Sequence, residues 1–114
     1  MARPVLPDAL ARREWIEQPL EAARALRVAE AYLAEERATE AVAFLKKAGA
    51  LVRLSALRDE AIRTGDAFLL KEVCRALGQE ATAAHWSRLR DAAAAAGKGS
   101  YAVEAQRQVD RLEA

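Results

Sequence analysis

Glycine falls just past the end of one short apolar stripe after another, at Gly49, Gly65, Gly78 and Gly97. That spacing restricts the chain to helices of a few turns joined by tight connections, because glycine after a periodic apolar segment is a helix-stop signal. Composition supports the same reading. Alanine makes up roughly a quarter of the residues and aromatics only 5%, a mixture that favours helix over strand by intrinsic propensity. At 114 residues the chain is long enough to bury one core and too short for two independent ones, so a single domain over residues 1–114 is expected.

Within it, apolar residues at three- and four-residue spacing predict six helices after a short N-terminal segment. That segment runs from about Asp8, a candidate N-cap, to Gln18. It carries Leu10, Trp15 and Ile16 and is expected to cap the first hairpin. Pro19 suits the first turn of the next helix, whose stripe is Leu26, Ala29 and Leu33, flanked by Ala22, Ala25 and Tyr32. A break near Arg37 and Ala38 leads to a helix lined by Ala41, Val42, Leu45 and Ala48. Leu51, Leu54, Leu57 and Ala61 stripe the third, which stops at Gly65. Asp66 caps the fourth, with Leu70, Val73, Cys74 and Leu77 inward. Trp86, Leu89, Ala93 and Ala96 line the fifth, and Tyr101, Ala102, Ala105, Val109 and Leu112 the sixth. Connections this short make neighbours antiparallel, which divides the chain into a cap over residues 1–18 and hairpins over 19–49, 50–78 and 79–114.

One stretch repeats. Residues 55–65 and 87–97 both read S-x-L-R-D-x-A-x-x-x-G, offset by 32 residues between Leu57 and Leu89. Periods of this size mark stacked supersecondary units, each completing its neighbour's core. Trp86-x-x-Leu89-Arg90-x-x-Ala93-x-x-x-Gly97 resembles the first helix and turn of a tetratricopeptide repeat, whose pattern runs W-x-x-L-G-x-x-Y before a turn glycine. Leu54, Leu57, Arg58, Ala61, Gly65 and Asp66 fall on the same positions one unit earlier. Val28, Ala29, Tyr32, Ala41, Leu45 and Ala48 are similar to the packing positions of a unit before that. Arg58 and Arg90 stand where the family places a small residue, and Gly99-Ser100 reads as an insertion. The resemblance implies an all-α fold of antiparallel hairpins stacked as a short right-handed α-α superhelix. It also implies a concave groove lined by Glu30, Ser55, Asp59, Arg63, Ser87 and Asp91, the candidate partner-binding residues.

Charge and motif narrow the function. Eighteen basic and seventeen acidic residues give a net charge of +1, and the signs alternate along the chain. Arg12-Arg13 and Arg88/Arg90 are small basic clusters, each beside acidic residues, so neither nucleic acid nor a lipid surface is an expected partner. No run approaches a membrane span, no apolar leader opens the chain, and the single Cys74 can form no internal disulfide. A cytoplasmic location is expected. Cys74 and His85 are too few for a structural zinc site or an oriented triad, so Cys74 reads as a small core residue and His85 as a surface histidine without a partner. The adjacent carboxylates Glu35-Glu36 and Asp59-Glu60 point in different directions on a helix, as a solvated face does. Gly97-Lys98-Gly99-Ser100 lacks the spacing of a phosphate loop and reads as a turn. The expectation is therefore a protein-interaction module, not an enzyme and without cofactor or metal, that holds an unknown protein or peptide. A self-associating bundle, a homodimer joined through Trp15 or Trp86, is the alternative. A small enzyme or metal protein centred on Cys74 and His85 is the outsider.

Overall fold

The computed structural model describes residues 6–17 and 21–114, apart from the side chain of Glu17. Gln18 and Pro19, two of the positions discussed above, lie outside the described residues. Within them the chain is all-helical, with seven helices and no strand: α1 (Ala9–Glu17), α2 (Ala22–Ala34), α3 (Ala38–Lys47), α4 (Leu51–Thr64), α5 (Ala67–Leu77), α6 (Ala83–Ala95) and α7 (Gly99–Glu113). No helix among them is long and apolar enough to cross a membrane. The contacts divide the chain into two units, Met1–Leu54 and Ser55–Ala114, with the division inside α4.

In the first unit Asp8 caps α1 as expected, its Oδ1 accepting the N–H of Ala11 at 2.8 Å. α1 rests on α3, and the Arg24 guanidinium of α2 lies 5.0 Å over the Trp15 ring. α2 packs against α3, but on a face turned from the expected one. Ala25, Val28, Ala29 and Tyr32 are buried, whereas Leu26 and Leu33 are half-buried. The small side chains at 25 and 29 leave room for α3 to approach. Tyr32 then stacks on Phe44, with ring centroids 5.7 Å apart and planes 24° from parallel, a contact two rim leucines do not match. Phe44, absent from the expected stripe, is fully buried beside Ala41, Val42 and Leu45. Leu51 was expected inside and is 62% exposed, with Val52 beside it also in solvent. The apolar face of α4 begins only at Leu54, one turn later.

α2 ends without glycine. Glu36 adopts φ 59°, so that its N–H reaches the Leu33 carbonyl at 3.1 Å and the N–H of Arg37 reaches the Tyr32 carbonyl at 2.9 Å. This paired ending satisfies carbonyls that a helix terminus otherwise leaves orphaned. Arg37 then holds Glu40 with two hydrogen bonds, of 2.7 and 2.6 Å, and lies 4.9 Å over the Tyr32 ring.

In the second unit Asp66 caps α5, its Oδ1 accepting the Leu69 N–H at 3.0 Å, as its place after Gly65 implies. Leu57, Ala61, Ile62, Leu70, Val73, Trp86, Leu89, Ala93, Ala105 and Val109 are all buried. Ala96 is exposed and Leu77, Tyr101, Ala102 and Leu112 are half-buried, because they lie at helix ends that outrun their neighbours. α6 packs on α7. Arg90 donates to Gln106 Oε1 at 2.8 Å, and these two residues stand equally far from Lys98 in the turn, so the helices run antiparallel. Gly99 and Ser100 are the first residues of α7.

The two S-x-L-R-D segments have matching environments. Leu57 and Leu89 are buried, as are Ala61 and Ala93. Arg58 and Arg90 each donate Nε to the neighbouring Asp, at 3.3 and 3.0 Å. Each segment closes on a left-handed glycine, after which the N–H of Asp66 reaches the Ala61 carbonyl at 2.9 Å and that of Lys98 the Ala93 carbonyl at 2.8 Å. Their glycines differ in one respect. A Cβ at Gly65 would sit 2.5 Å from Cα and N of Ala93, whereas one at Gly97 would meet nothing within 4 Å.

Two substitutions therefore separate backbone strain from close packing. Gly97→Ala loses only the left-handed preference, about 1–2 kcal/mol. Gly65→Ala adds overpacking against a helix backbone and costs roughly 2–5 kcal/mol in total. Urea denaturation of both variants measures the gap, and equal losses would show that α6 yields to the added methyl.

Candidate functional site

The six expected groove residues occupy different settings. Glu30 belongs to the first unit, where Arg53 grips it with two hydrogen bonds, Nε to Oε1 at 2.7 Å and Nη2 to Oε2 at 2.6 Å. The other five lie in the second unit. Ser55, Asp59 and Arg63 recur every four residues on α4, and Ser87 and Asp91 do so on α6, so each set shares a helix face. Both serines are half-buried. Asp59 and Asp91 are alike in exposure, 69% and 72%, and each accepts from the arginine before it. Arg63 is exposed with Glu60 Oε1 3.7 Å away.

His85 has a partner that sequence reading did not assign. Thr82 Oγ1 accepts the His85 N–H at 3.1 Å, and His85 Nδ1 accepts the Thr82 N–H at 3.1 Å. The pair is a capping box at the start of α6 with histidine in the place usually held by Glu or Gln. Burial, then the positive charges of Arg58 and Arg88, hold its pKa below the ordinary histidine value, with Asp59 opposing. The influence of Arg58 and Asp59, with the contact of Gly65 on Ala93, places α4 beside α6.

Cys74 is buried at 8% exposure. Burial raises its thiol pKa even though Arg58 and a hydrogen bond from the Ala81 backbone work in the other direction. It is a poor nucleophile in that state. No group of three or more His, Cys, Asp or Glu side chains among the described residues is placed to hold a metal ion. Trp86 is buried and Trp15 half-buried under Arg24, so neither is the exposed aromatic anchor expected for a two-fold interface. Among the described residues the exposed large apolar ones are instead Leu10, Leu51, Val52, Phe68 and Val103.

A cavity of about 370 Å³ opens in the second unit, away from all five candidates there. Its floor is Cys74, Ala81 and Trp86, and around it stand Lys71, Arg75, Gln79, Glu80, Gln108 and Arg111. Its origin lies in the connection between α5 and α6. Five residues separate Leu77 from Ala83, where the other connections in this unit take two and three. This loop supplies Gly78, Gln79, Glu80 and the buried Ala81 to the wall of the cavity beside the indole. The one signal in the sequence was that extra spacing between Gly78 and the stripe of Trp86.

Neither a protein-family model nor a curated protein nor a solved structure matches the chain.

The His85 cap predicts a pH dependence. Because the folded pKa lies below the unfolded value near 6.5, the unfolded chain takes up the proton first. The stabilisation is complete above about pH 6.5 and is lost as the pH falls toward the depressed folded value. His85→Gln keeps an acceptor at this position and removes the proton, so the urea midpoints of wild type and variant should converge at pH 7.5 and separate at pH 5, with the variant higher. Parallel pH curves for the two would show that the cap does not titrate.

Proposed function

We propose that the chain is a protein-interaction module, built as a tetratricopeptide-like array of hairpins, that holds a peptide or partner helix against the faces carrying Ser55, Asp59 and Arg63 on α4 and Ser87 and Asp91 on α6. The observation that carries this reading is the equivalence of Asp59 and Asp91. Both stand at the same place in an S-x-L-R-D segment, both are more than two-thirds exposed, and both rest on an adjacent arginine that fixes the carboxylate without covering it. Two such carboxylates on neighbouring helices suit the cationic or N–H-rich side of a partner segment, where charge-assisted hydrogen bonds give register and apolar contact gives affinity. Glu30, already gripped by Arg53, contributes less. On this reading the module works without catalysis, cofactor or metal, in the cytoplasm.

Self-association is the second reading, favoured by Leu51, Val52, Phe68 and Val103, which place large apolar side chains in solvent. Such residues are common singly on monomers and matter when contiguous.

Affinity capture from the native host lysate, comparing wild type with Asp59→Lys/Asp91→Lys, tests the first reading. A hydrogen bond to a charged group contributes about 1.5–3 kcal/mol, so retention of a specific partner should fall at least about tenfold while helicity is unchanged. Equal retention by both proteins would remove these carboxylates from the interface. Light scattering across a wide concentration range decides the second reading, since a strictly monomeric particle excludes it.

A further inference from the structure

We propose that the cavity over Trp86 is a binding site for a small organic monocarboxylate with a flat apolar body, distinct from the acidic faces of α4 and α6. Size sets the first limit. At about 370 Å³ the cavity lies near the lower end of small-ligand sites, about 300–1,000 Å³. The floor sets the second. Trp86, Ala81 and Cys74 are each less than a tenth exposed and turn what remains, an apolar and polarizable edge, to the cavity, where the edge of a ring can meet it.

Charge around the opening sets the third limit. Lys71, Arg75 and Arg111 stand there against one carboxylate, Glu80. Each cation has a carboxylate neighbour: Lys71 has Glu104 at 2.5 Å, Arg75 has Glu72 at 3.3 Å, and Arg111 has Glu80. Arg111 also donates Nε to Gln108 Oε1 at 3.0 Å; these bonds still leave guanidinium N–H donors over, because an arginine carries five. A guanidinium fork matches a carboxylate in plane and spacing. The acidic partners also cap the charge the site accepts. Arg107 also pairs with Glu104, at 2.8 Å, so four cations stand against three carboxylates, and the surplus of one suits one further negative charge better than the two of a phosphate monoester. The preference for an anion over a neutral ligand of the same shape thus rests on Arg75 and Arg111, and the preference for a ring rests on Trp86.

The test uses 2-naphthoate, of thirteen non-hydrogen atoms, and its neutral counterpart 2-naphthamide. The readout is the indole N–H resonance of Trp86, with that of Trp15, which lies in the other unit, as an internal control. Naphthoate should shift the Trp86 signal saturably with a dissociation constant of about 1 mM or tighter, as expected for so small a ligand in a preformed cavity. Trp15 should stay still, and naphthamide should bind at least about tenfold more weakly, one charge-assisted contact being lost. Arg75→Gln, at a side chain mostly in solvent and therefore safe for folding, should weaken naphthoate several-fold and leave naphthamide unchanged. Arg111→Gln should do the same. No saturable shift at Trp86, equal binding of the acid and the amide, or equal shifts at Trp15 would each overturn the proposal. A phosphate ester such as phenyl phosphate binding more tightly than naphthoate would overturn the choice of a monocarboxylate.

Discussion

The second unit is organised around a place where one helix end touches another helix's backbone. Gly65 closes α4 in a left-handed conformation, and the space its side chain would need is filled by Cα and N of Ala93. Both requirements fall on one residue, and only glycine meets both. The contact fixes how near α6 lies to α4, and so brings Arg58 and Asp59 within electrostatic reach of His85. It also explains why alanine recurs at 61 and 93, since larger side chains there would hold the helices apart. Lys98 adds a tie across the same corner, its ammonium donating to the Thr64 carbonyl at 2.8 Å.

The parts of this fold that were legible in the sequence are those that depend on local chemistry. Asp8 and Asp66 as caps, the stops at Gly49, Gly65, Gly78 and Gly97, and the all-helical class each follow from backbone groups that must be satisfied within a few residues. What the pattern misplaced depends on partners distant in sequence. The buried face of α2 is set by the stacking of Tyr32 on Phe44, and nothing within α2 announces that an aromatic will arrive from α3. Leu51 looks like the first residue of an apolar stripe, yet its helix begins a turn before its packing does. The setting of the candidate residues was half legible in the same sense. The repeated S-x-L-R-D segment placed Asp59 and Asp91 in equivalent positions, while the Arg53 grip on Glu30 joins residues 23 apart and has no local signature. The cavity was illegible because its walls come from α5, the loop after it, α6 and α7, residues up to 40 apart in the chain, Lys71 to Arg111.

The two candidate surfaces of the second unit differ in physical character. The faces carrying Asp59 and Asp91 are open, charged and assembled on rigid helices, which suits recognition of an extended partner. The cavity is concave, with an apolar floor and cations at its mouth, and it owes its shape to the longest connection in the unit. Because Trp86 opens the helix that also carries Asp91, both surfaces are built partly on α6. Ordering of that helix, through the Thr82 and His85 cap at its first turn, serves both.

The turn after α2 stands apart from the glycine turns. Glu36 takes a left-handed conformation with a side chain that disfavours it, and the two backbone hydrogen bonds that close the corner are supplemented by Arg37, which holds Glu40 and covers Tyr32. That supplement is charge at the surface, where ions screen it. The glycine corners of the second unit are secured by backbone geometry, to which dissolved ions are nearly indifferent. Added salt therefore weakens one extra tie at the Glu36 corner, the Arg37–Glu40 pair, by at most about 1 kcal/mol, and leaves in place the backbone bonds that close it.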